Sequence, residues 1–381
     1  MNKPVPKRRI AFYTSSDCFG GLEKNVLHFM EWLGNEKNEV ILLSDEKNII
    51  SKAAAQRKIP LMFIEKTGNY ASLRKAIQLG RILHVNTIEV LFIIRPRDIL
   101  LAAITRFFFY RQLRLIYFQQ SKLNLKKHPL LYSILFRPYS AWIIPTAHLH
   151  DEALKMARYK PSQLHVIPPC IDTEYYEKDT LTRKAARKIL ELPEGRIIMG
   201  IIGRYDQKCR QDFLIRTLQL LHRNHYDVDL LIMGKTGDEE QTEYYRFLKI
   251  LVQECQVEKY VYFRSYSDKI LTFLRALDYF IMNWAGEPYD LILLKAMASG
   301  VPVIARFSGL NTELLENGKY GLLYRPGDIE DLSGKIIQLL TQNRLADHLR
   351  SESKKYVEEN FDKKIGCRIM EELLEKLDYK S

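Results

Sequence analysis

The sequence predicts an α/β protein of two doubly wound, parallel-sheet domains facing each other across a cleft, on three observations. Apolar runs of strand length alternate with longer helical stretches almost throughout the 381 residues. The short runs are apolar at successive positions, the pattern of parallel strands buried on both faces. The alternation breaks once, around Pro168 and Pro169, and then restarts. Length agrees, since roughly 150 residues per domain gives two domains or three.

In chain order, Arg9–Thr14 reads as a strand, Leu22–Leu33 as a helix and Val40–Ser44 as a strand. Leu61–Ile64, Ile88–Ile94, Leu113–Phe118 and Ala141–Thr146 continue the strands, with helices expected over Leu73–Leu83, Ile99–Phe108 and His128–Phe136. Right-handed crossovers turn such a βαβ series into a doubly wound domain. The charged stretch Glu174–Lys184 reads as part of a linker. After it, Arg196–Ile202, Asp229–Met233, Tyr260–Phe263, Tyr279–Asn283 and Val301–Ala305 read as strands. Phe213–His222, Leu293–Ala298, Ile329–Thr341, Arg344–Asn360 and the final Lys364–Leu377 read as helices. The expected division is a Rossmann-like domain over 1–172, a linker over 173–193, a second Rossmann-like domain over 194–360, and a C-terminal helix within 361–381 that packs back on the first domain.

Composition narrows the function. At 46% hydrophobic residues a large core is available, which excludes wholesale disorder. A formal net charge of +12 favours anionic partners: phosphates, nucleic acid or an acidic membrane surface. No stretch approaches the roughly 20 apolar residues of a membrane-spanning helix. The apolar run Ile10–Tyr13 is too short for a signal-peptide core, so a cytoplasmic location is expected. The five cysteines are scattered and form no C-x-x-C pair, which argues against a disulfide framework or a zinc site.

Several motifs bear on chemistry. Ser15–Leu22 follows the first strand and opens a helix, and its Gly20-Gly21 lets backbone approach an anion at the helix N-terminus. The same pair also suits a plain tight turn. The dinucleotide pattern G-x-G-x-x-G is absent there. Gly203-Arg204 ends the first strand of the second half, and the planar fork of arginine matches phosphate oxygens. Lys208 and Arg210 follow, and a solvated basic loop is the plainer reading. Gly234-Lys235-Thr236 resembles the tail of a phosphate loop, but Asp229 occupies the position of the required glycine. His148-x-His150 has no accompanying carboxylate or cysteine cluster and reads as surface. Gly286–Ala305 reads as loop, short apolar helix and buried strand, with Glu287 just before the helix. A carboxylate beside backbone amides suits a sugar phosphate.

These pieces together resemble the GT-B-fold retaining glycosyltransferases called family 4, which carry a Glu-x7-Glu motif. Gly20-Gly21-Leu22-Glu23 resembles its N-terminal G-G-x-E, and Val166-Ile167-Pro168 with Ile171-Asp172 the end of its first domain. Gly203-Arg204 with Asp212-Phe213-Leu214 resembles the start of its second. Glu287-Pro288-Tyr289 and Ala296-Met297-Ala298-Ser299-Gly300-Val301-Pro302-Val303 resemble its donor-site segment. Gly309 with Glu313, Gly321-Leu322-Leu323-Tyr324 and Pro326-Gly327-Asp328 resemble its tail. The resemblance implies transfer of a sugar from a UDP- or GDP-linked donor to a glycan or lipid-linked acceptor, with retained configuration, no metal and no cofactor. Cell-surface polysaccharide or lipopolysaccharide synthesis is the implied setting. By that resemblance Arg204 holds the donor diphosphate, Glu287 contacts the donor sugar, and Gly20 and Gly21 lie near the phosphates. Gly203, Lys208, Cys209, Tyr289, Asp290, Leu291 and Lys295 complete the donor-side set, with Cys18 and Gln119 on the acceptor side.

The sequence departs from the family at informative positions. The motif lysine falls on Cys209 and the second motif glutamate on Lys295. An ammonium group only donates, so Lys295 cannot accept hydrogens from ribose hydroxyls. The motif glycine falls on Asp290, the frequent histidine on Gln119, and the usual Asn-Gly on Pro169-Cys170. Two readings follow. In one, Lys295 replaces the charge that Cys209 lacks and acts with Arg204 and Glu287 in catalysis. In the other, the protein is a catalytically decayed relative that binds a glycan or a partner.

Arg106–Tyr139 is basic and aromatic, with Arg106, Arg111, Arg114, Lys122, Lys126, Lys127 and Arg137 and no acidic residue. Such a stretch suits the interface of an anionic membrane, while no nucleic-acid recognition module accompanies it. Peripheral association with the inner face of the membrane is expected from it.

Overall fold

The structure is a computed structural model that describes residues 7–17, 19–65, 72–120, 134–156, 161–235, 237, 239–267, 269–284 and 291–378. Its described residues form two compact units. One is drawn from Met1–Cys170 and Lys363–Ser381, the other from Ile171–Gly286 and Leu291–Asp362.

In the first unit, β1 (Arg8–Tyr13), β2 (Asn38–Ser44), β3 (Leu61–Phe63), β4 (Val90–Ile93), β5 (Arg114–Phe118), β6 (Ala141–Ile144) and β7 (Leu164–Val166) make one sheet. The order is β3-β2-β1-β4-β5-β6-β7 and every pairing is parallel. Alternate side chains of β1 enter opposite cores: Ala11 and Tyr13 on one face, Ile10 and Phe12 on the other. That two-sided burial is the reason the strands read as unbroken apolar runs. The helix Lys363–Asp378 belongs to this unit. It buries Met370, Leu373 and Leu374 beside Ile10 and Phe12, about 2 kcal/mol for each side chain. Asp378 pairs with Arg8 and, at 2.8 Å, with Arg114.

The second unit holds β8 (Ile197–Arg204), β9 (Val228–Lys235), β10 (Val261–Ser265), β11 (Tyr279–Met282), β12 (Val303–Arg306) and β13 (Leu322–Tyr324). Their order, β10-β9-β8-β11-β12-β13, is again wholly parallel. Ile198 and Ile202 face one core, Met199 and Ile201 the other. In both sheets the strand order reverses beside the first strand, at β1/β4 and at β8/β11. Ligands of open α/β sheets bind beyond the carboxyl ends of the strands at such a point.

The stretch read as a linker is structured. It forms the helices Thr173–Glu177 and Arg183–Ile189, and Tyr176 and Ala186 enter the core of the second unit. Arg187 is buried there, donating to the Ala276 carbonyl at 3.0 Å and pairing with Asp278 at 2.6 Å. Its charge made the segment look like linker, yet the charge serves as a cross-brace. The boundary between the units falls after Cys170 rather than after Asp172. Phe361 and Asp362 stay with the second unit, where Ile171 N–H donates to Phe361 and Thr173 Oγ1 to Asp362 at 2.5 Å. The helix expected over Ile99–Phe108 is α-helical over Ile99–Ile104 and becomes a π-helical turn over Thr105–Phe109. Most of the helix expected over His128–Phe136 lies outside the described residues.

Candidate active site

In the second unit the site is built on the loop that leaves β8. Gly203 and Arg204 end that strand, in register with Gly234 and Lys235 of β9. Gly234 permits a close approach: a Cβ there would fall 2.5 Å from the Tyr205 ring, which is buried against Tyr245 and Phe263. Tyr205 thereby anchors the loop root, and the Arg204 side chain on the preceding residue stays 67% exposed. Among the described residues it meets the Asp206 carboxylate, at 3.6 Å. A guanidinium so placed keeps most of its five donors available to an incoming oxyanion.

The other cations of the loop differ from it. Arg210 is engaged. It meets Asp212 in a two-pronged contact at 3.1 and 3.2 Å, and Tyr244 Oη donates to the same carboxylate at 2.7 Å. That partner holds the Arg210 guanidinium above its ordinary range. Lys208 is exposed, its backbone N–H donating to Asp206 at 3.0 Å. Cys209 points back at the strand, its Sγ 3.0 Å from where a Cβ on Gly203 would stand. Position 209, which carries lysine in the resembled family, is therefore half-buried here.

Three buried carboxamides staple the loops at this end of the sheet. Asn283, after β11, donates to the carbonyls of Arg210 at 2.8 Å and Cys209 at 3.4 Å, and accepts from Tyr324 Oη. Arg210 needs that support, for it sits in the left-handed region at φ 50°. Gln211 donates to the Arg204 carbonyl at 2.8 Å. Asn311 donates to the carbonyls of Arg306 at 2.8 Å and Trp284 at 3.1 Å. Gln211 and Asn283 brace the segment that carries Arg204, Asn311 braces the ends of the neighbouring loops, and sequence reasoning missed all three. The bond from Asn283 joins residues 73 apart, which no local pattern signals. Burial also holds the Tyr324 phenol well above its ordinary pKa.

Of the remaining donor-side residues, Leu291 caps the helix Ile292–Ala298 and is buried, and Lys295 is half-buried in its last turn. The structure thus joins Gly203, Arg204, Lys208 and Cys209 in one loop, and ties that loop to the neighbouring β11. Glu287, Tyr289 and Asp290 lie outside the described residues.

In the first unit, Gly20 and Gly21 are exposed at the start of the helix Gly21–Leu33. Glu23 is buried and caps it, accepting from Gly20 N–H at 2.9 Å and from Ser16 Oγ at 3.1 Å while pairing with Arg95. A second clamp lies beside it. Asp98, fully buried, accepts from Ser15 N–H at 3.1 Å and Ser15 Oγ at 2.5 Å. Burial raises the Asp98 pKa, partly offset by those Ser15 bonds and by Arg97. Arg97 Nε donates to Ser15 Oγ at 2.9 Å. The two clamps hold the backbone leading to Gly20, and Arg95 and Asp98 carried no motif to announce them. Gln119 is buried, its side-chain carbonyl accepting the Trp142 indole N–H at 2.9 Å. Cys18 lies outside the described residues.

Gly234 and Lys235 lie within β9, in strand geometry, and Asp229 is buried in an ion pair with Arg196 at 2.6 Å. His148 and His150 lie on a helix near Glu152 and Asp151, at 3.8 and 3.4 Å. No described helix is long and apolar enough to cross a membrane. Of the basic aromatic stretch, the part at 121–133 lies outside the described residues; Tyr117, Phe118, Phe136 and Tyr139 are core.

Residues 182–356 match the family described as "Glycosyl transferases group 1". The chain is similar to a mannosylfructose-phosphate synthase of Agrobacterium fabrum, 26% identical over 57% of this chain and 48% of that protein. It spans about half the length of the curated relatives it matches. A glycosyltransferase from Rickettsia africae superposes with a TM-score of 0.87 at 15% identity, over 99% of this chain and 100% of that one. The Anabaena protein HepE, solved in complex with UDP, superposes with a TM-score of 0.84 at 18% identity, over 97% of this chain and 100% of that one. The protein therefore has the GT-B fold of two Rossmann-like domains, and its second unit carries a match to the group 1 glycosyl transferases.

Proposed function

We propose that the protein is a retaining glycosyltransferase of the family 4 type, moving a sugar from a UDP- or GDP-linked donor to a glycan or lipid-linked acceptor. The observation that carries this reading is Arg204, exposed on a braced loop at the carboxyl end of the central strand, inside the segment matched by the family. Departure of a nucleoside diphosphate builds negative charge on its oxygens. A preorganised guanidinium at that point lowers the barrier because it need not reorient as the charge grows. The cost of holding Arg204 there falls on the amides beneath it rather than on the reaction.

Lys208 adds a second, mobile-stemmed cation from the same loop, and Gly203 leaves room beside Arg204. Gly20 and Gly21 are assigned a place near the donor phosphates; the Gly20 N–H is held by Glu23, and Gly21 brings the helix start beside it. Glu287 is assigned contact with the donor sugar, and Tyr289, Asp290 and Leu291 its surroundings. Lys295 is assigned the phosphate charge that Cys209 does not supply. Neither cofactor nor metal is assigned a part. We place the enzyme in the cytoplasm, peripheral on the inner membrane face, in cell-surface polysaccharide or lipopolysaccharide synthesis.

A donor panel tests the reading. UDP- and GDP-sugars are titrated while thermal stability is followed, then diphosphate release is measured and the product's anomeric proton read by NMR. Stabilisation by one donor, with release and a retained anomer, is the expected outcome. Binding without turnover points to the decayed, scaffold reading, and no binding by any donor overturns both catalysis and donor recognition.

A further inference from the structure

We propose that Phe107, Phe108 and Phe109 form a wedge that inserts into the interface of an anionic bilayer. They occupy consecutive positions on the π-helical turn Thr105–Phe109 and are 60%, 65% and 36% exposed. Three neighbouring phenylalanines at a surface are costly in water: the Phe107 and Phe108 rings lie 4.8 Å apart and outermost, and Phe109, 6.3 Å from Phe108, packs at its base against Gly80.

The turn is held at its base. Thr105 Oγ1 donates to the Leu101 carbonyl at 2.8 Å, and Arg106 Nε donates to that of Leu113 at 2.8 Å. Gly80 of the helix Leu73–Val85 lets the turn seat closely, since a Cβ there would stand 2.8 Å from the Phe109 Cβ. With its root pinned, the aromatic tips stay outside at little further entropic cost.

Charge selects the occupant. From Ile99 to His150 the chain contains no aspartate or glutamate. Arg111, two residues beyond the wedge, is exposed, as is Arg137. Aromatic rings flanked by arginine suit the boundary between headgroups and acyl chains, and Glu89, the acid whose charge reaches Tyr110, is paired with Arg114 at 3.9 Å. Arg106 and Arg114 are not part of this face, because their guanidinium groups are engaged by carbonyls and by Asp378. The inference deepens the membrane placement proposed above and is independent of donor chemistry, so either can fail alone.

The test is co-sedimentation of the full chain with vesicles of phosphatidylcholine alone and of phosphatidylcholine mixed with phosphatidylglycerol. Binding to the mixed vesicles only, weakened by added salt, is expected. The double variant Phe107→Ser/Phe108→Ser lowers that binding about tenfold or more, and its melting temperature and lipid-free nucleotide-sugar turnover match the parent. Arg111→Glu, an exposed single change, weakens it in the same direction should the double variant fold poorly. Absence of binding, equal binding to neutral vesicles, or undiminished binding by the variants overturns the wedge. Self-association of the parent in sedimentation velocity, lost in the double variant and without vesicle capture, assigns the patch to a second copy and also overturns it.

Discussion

Replacing Asn283 with leucine deletes two donated hydrogen bonds, to Arg210 and Cys209, and leaves the buried Tyr324 hydroxyl without its acceptor. At about 1 kcal/mol for each net bond and about 1.5 for the stranded hydroxyl, Asn283→Leu costs roughly 3.5 kcal/mol. Tyr324→Phe removes only the donor to Asn283 Oδ1 and costs about 1.5 kcal/mol. In the double variant no hydroxyl is left to strand, so only the two lost bonds remain and its cost is about 2 kcal/mol rather than the additive 5, a coupling of about 3. Urea unfolding followed by fluorescence measures it. Trp284 is the tryptophan of the second unit, and replacing Trp32 and Trp142 of the first by phenylalanine isolates its signal. With a slope near 2 kcal/mol per molar urea, the Asn283→Leu midpoint falls by roughly 1.7 M and the double variant's by only about 1 M. Strict additivity in the double variant would refute the claim that these two side chains form one unit beneath the loop.

Three further outcomes follow from the same geometry. Glu23→Leu leaves Arg95 without its buried partner and uncaps Gly20, costing about 2–3 kcal/mol after discounting for the part-exposed guanidinium; a melting temperature equal to the parent's contradicts it. Because burial raises the folded-state pKa of Asp98, its stabilisation is full below the unfolded value and is lost as pH rises through the folded one. The advantage of the parent over Asp98→Asn therefore shrinks from acid to neutral pH in urea midpoints, and a growing advantage reverses the sign. Lys295→Glu, which restores the family's acid but removes the cation, lowers turnover by about tenfold or more if Lys295 serves the diphosphate; unchanged turnover removes it from the mechanism.

The central strands were legible because parallel strands buried on both faces leave continuous apolar runs, as at Ile10–Tyr13 and Asp229–Met233. Of the three-residue edge strands, Leu61–Phe63 was read within Leu61–Ile64, whereas Leu164–Val166 and Leu322–Tyr324 were not, three residues being too few for a periodicity. The helix Glu239–Glu254 escaped notice because it buries only Leu248, Leu251 and Val252, so most of its length reads as polar. Thr173–Glu177 and Arg183–Ile189 were mistaken for linker because charge there is structural. At the site, Arg204 followed from its place after a strand. The side chains that hold it did not, since Asn283, Tyr324 and Gln211 act through contacts that only the sheet brings together. Cys209 reads as a lost lysine in sequence and as an inward-packed thiol in the fold.

Calorimetric titration of UDP and of GDP into the parent and into Arg204→Ala tests the central claim most directly. Loss of a charge-assisted contact of about 2 kcal/mol predicts that the variant binds roughly thirtyfold more weakly, with an unchanged melting temperature in the absence of nucleotide. Equal affinity in the two proteins, or no heat of binding from either nucleotide in the parent, would contradict the assignment of Arg204 to the donor diphosphate.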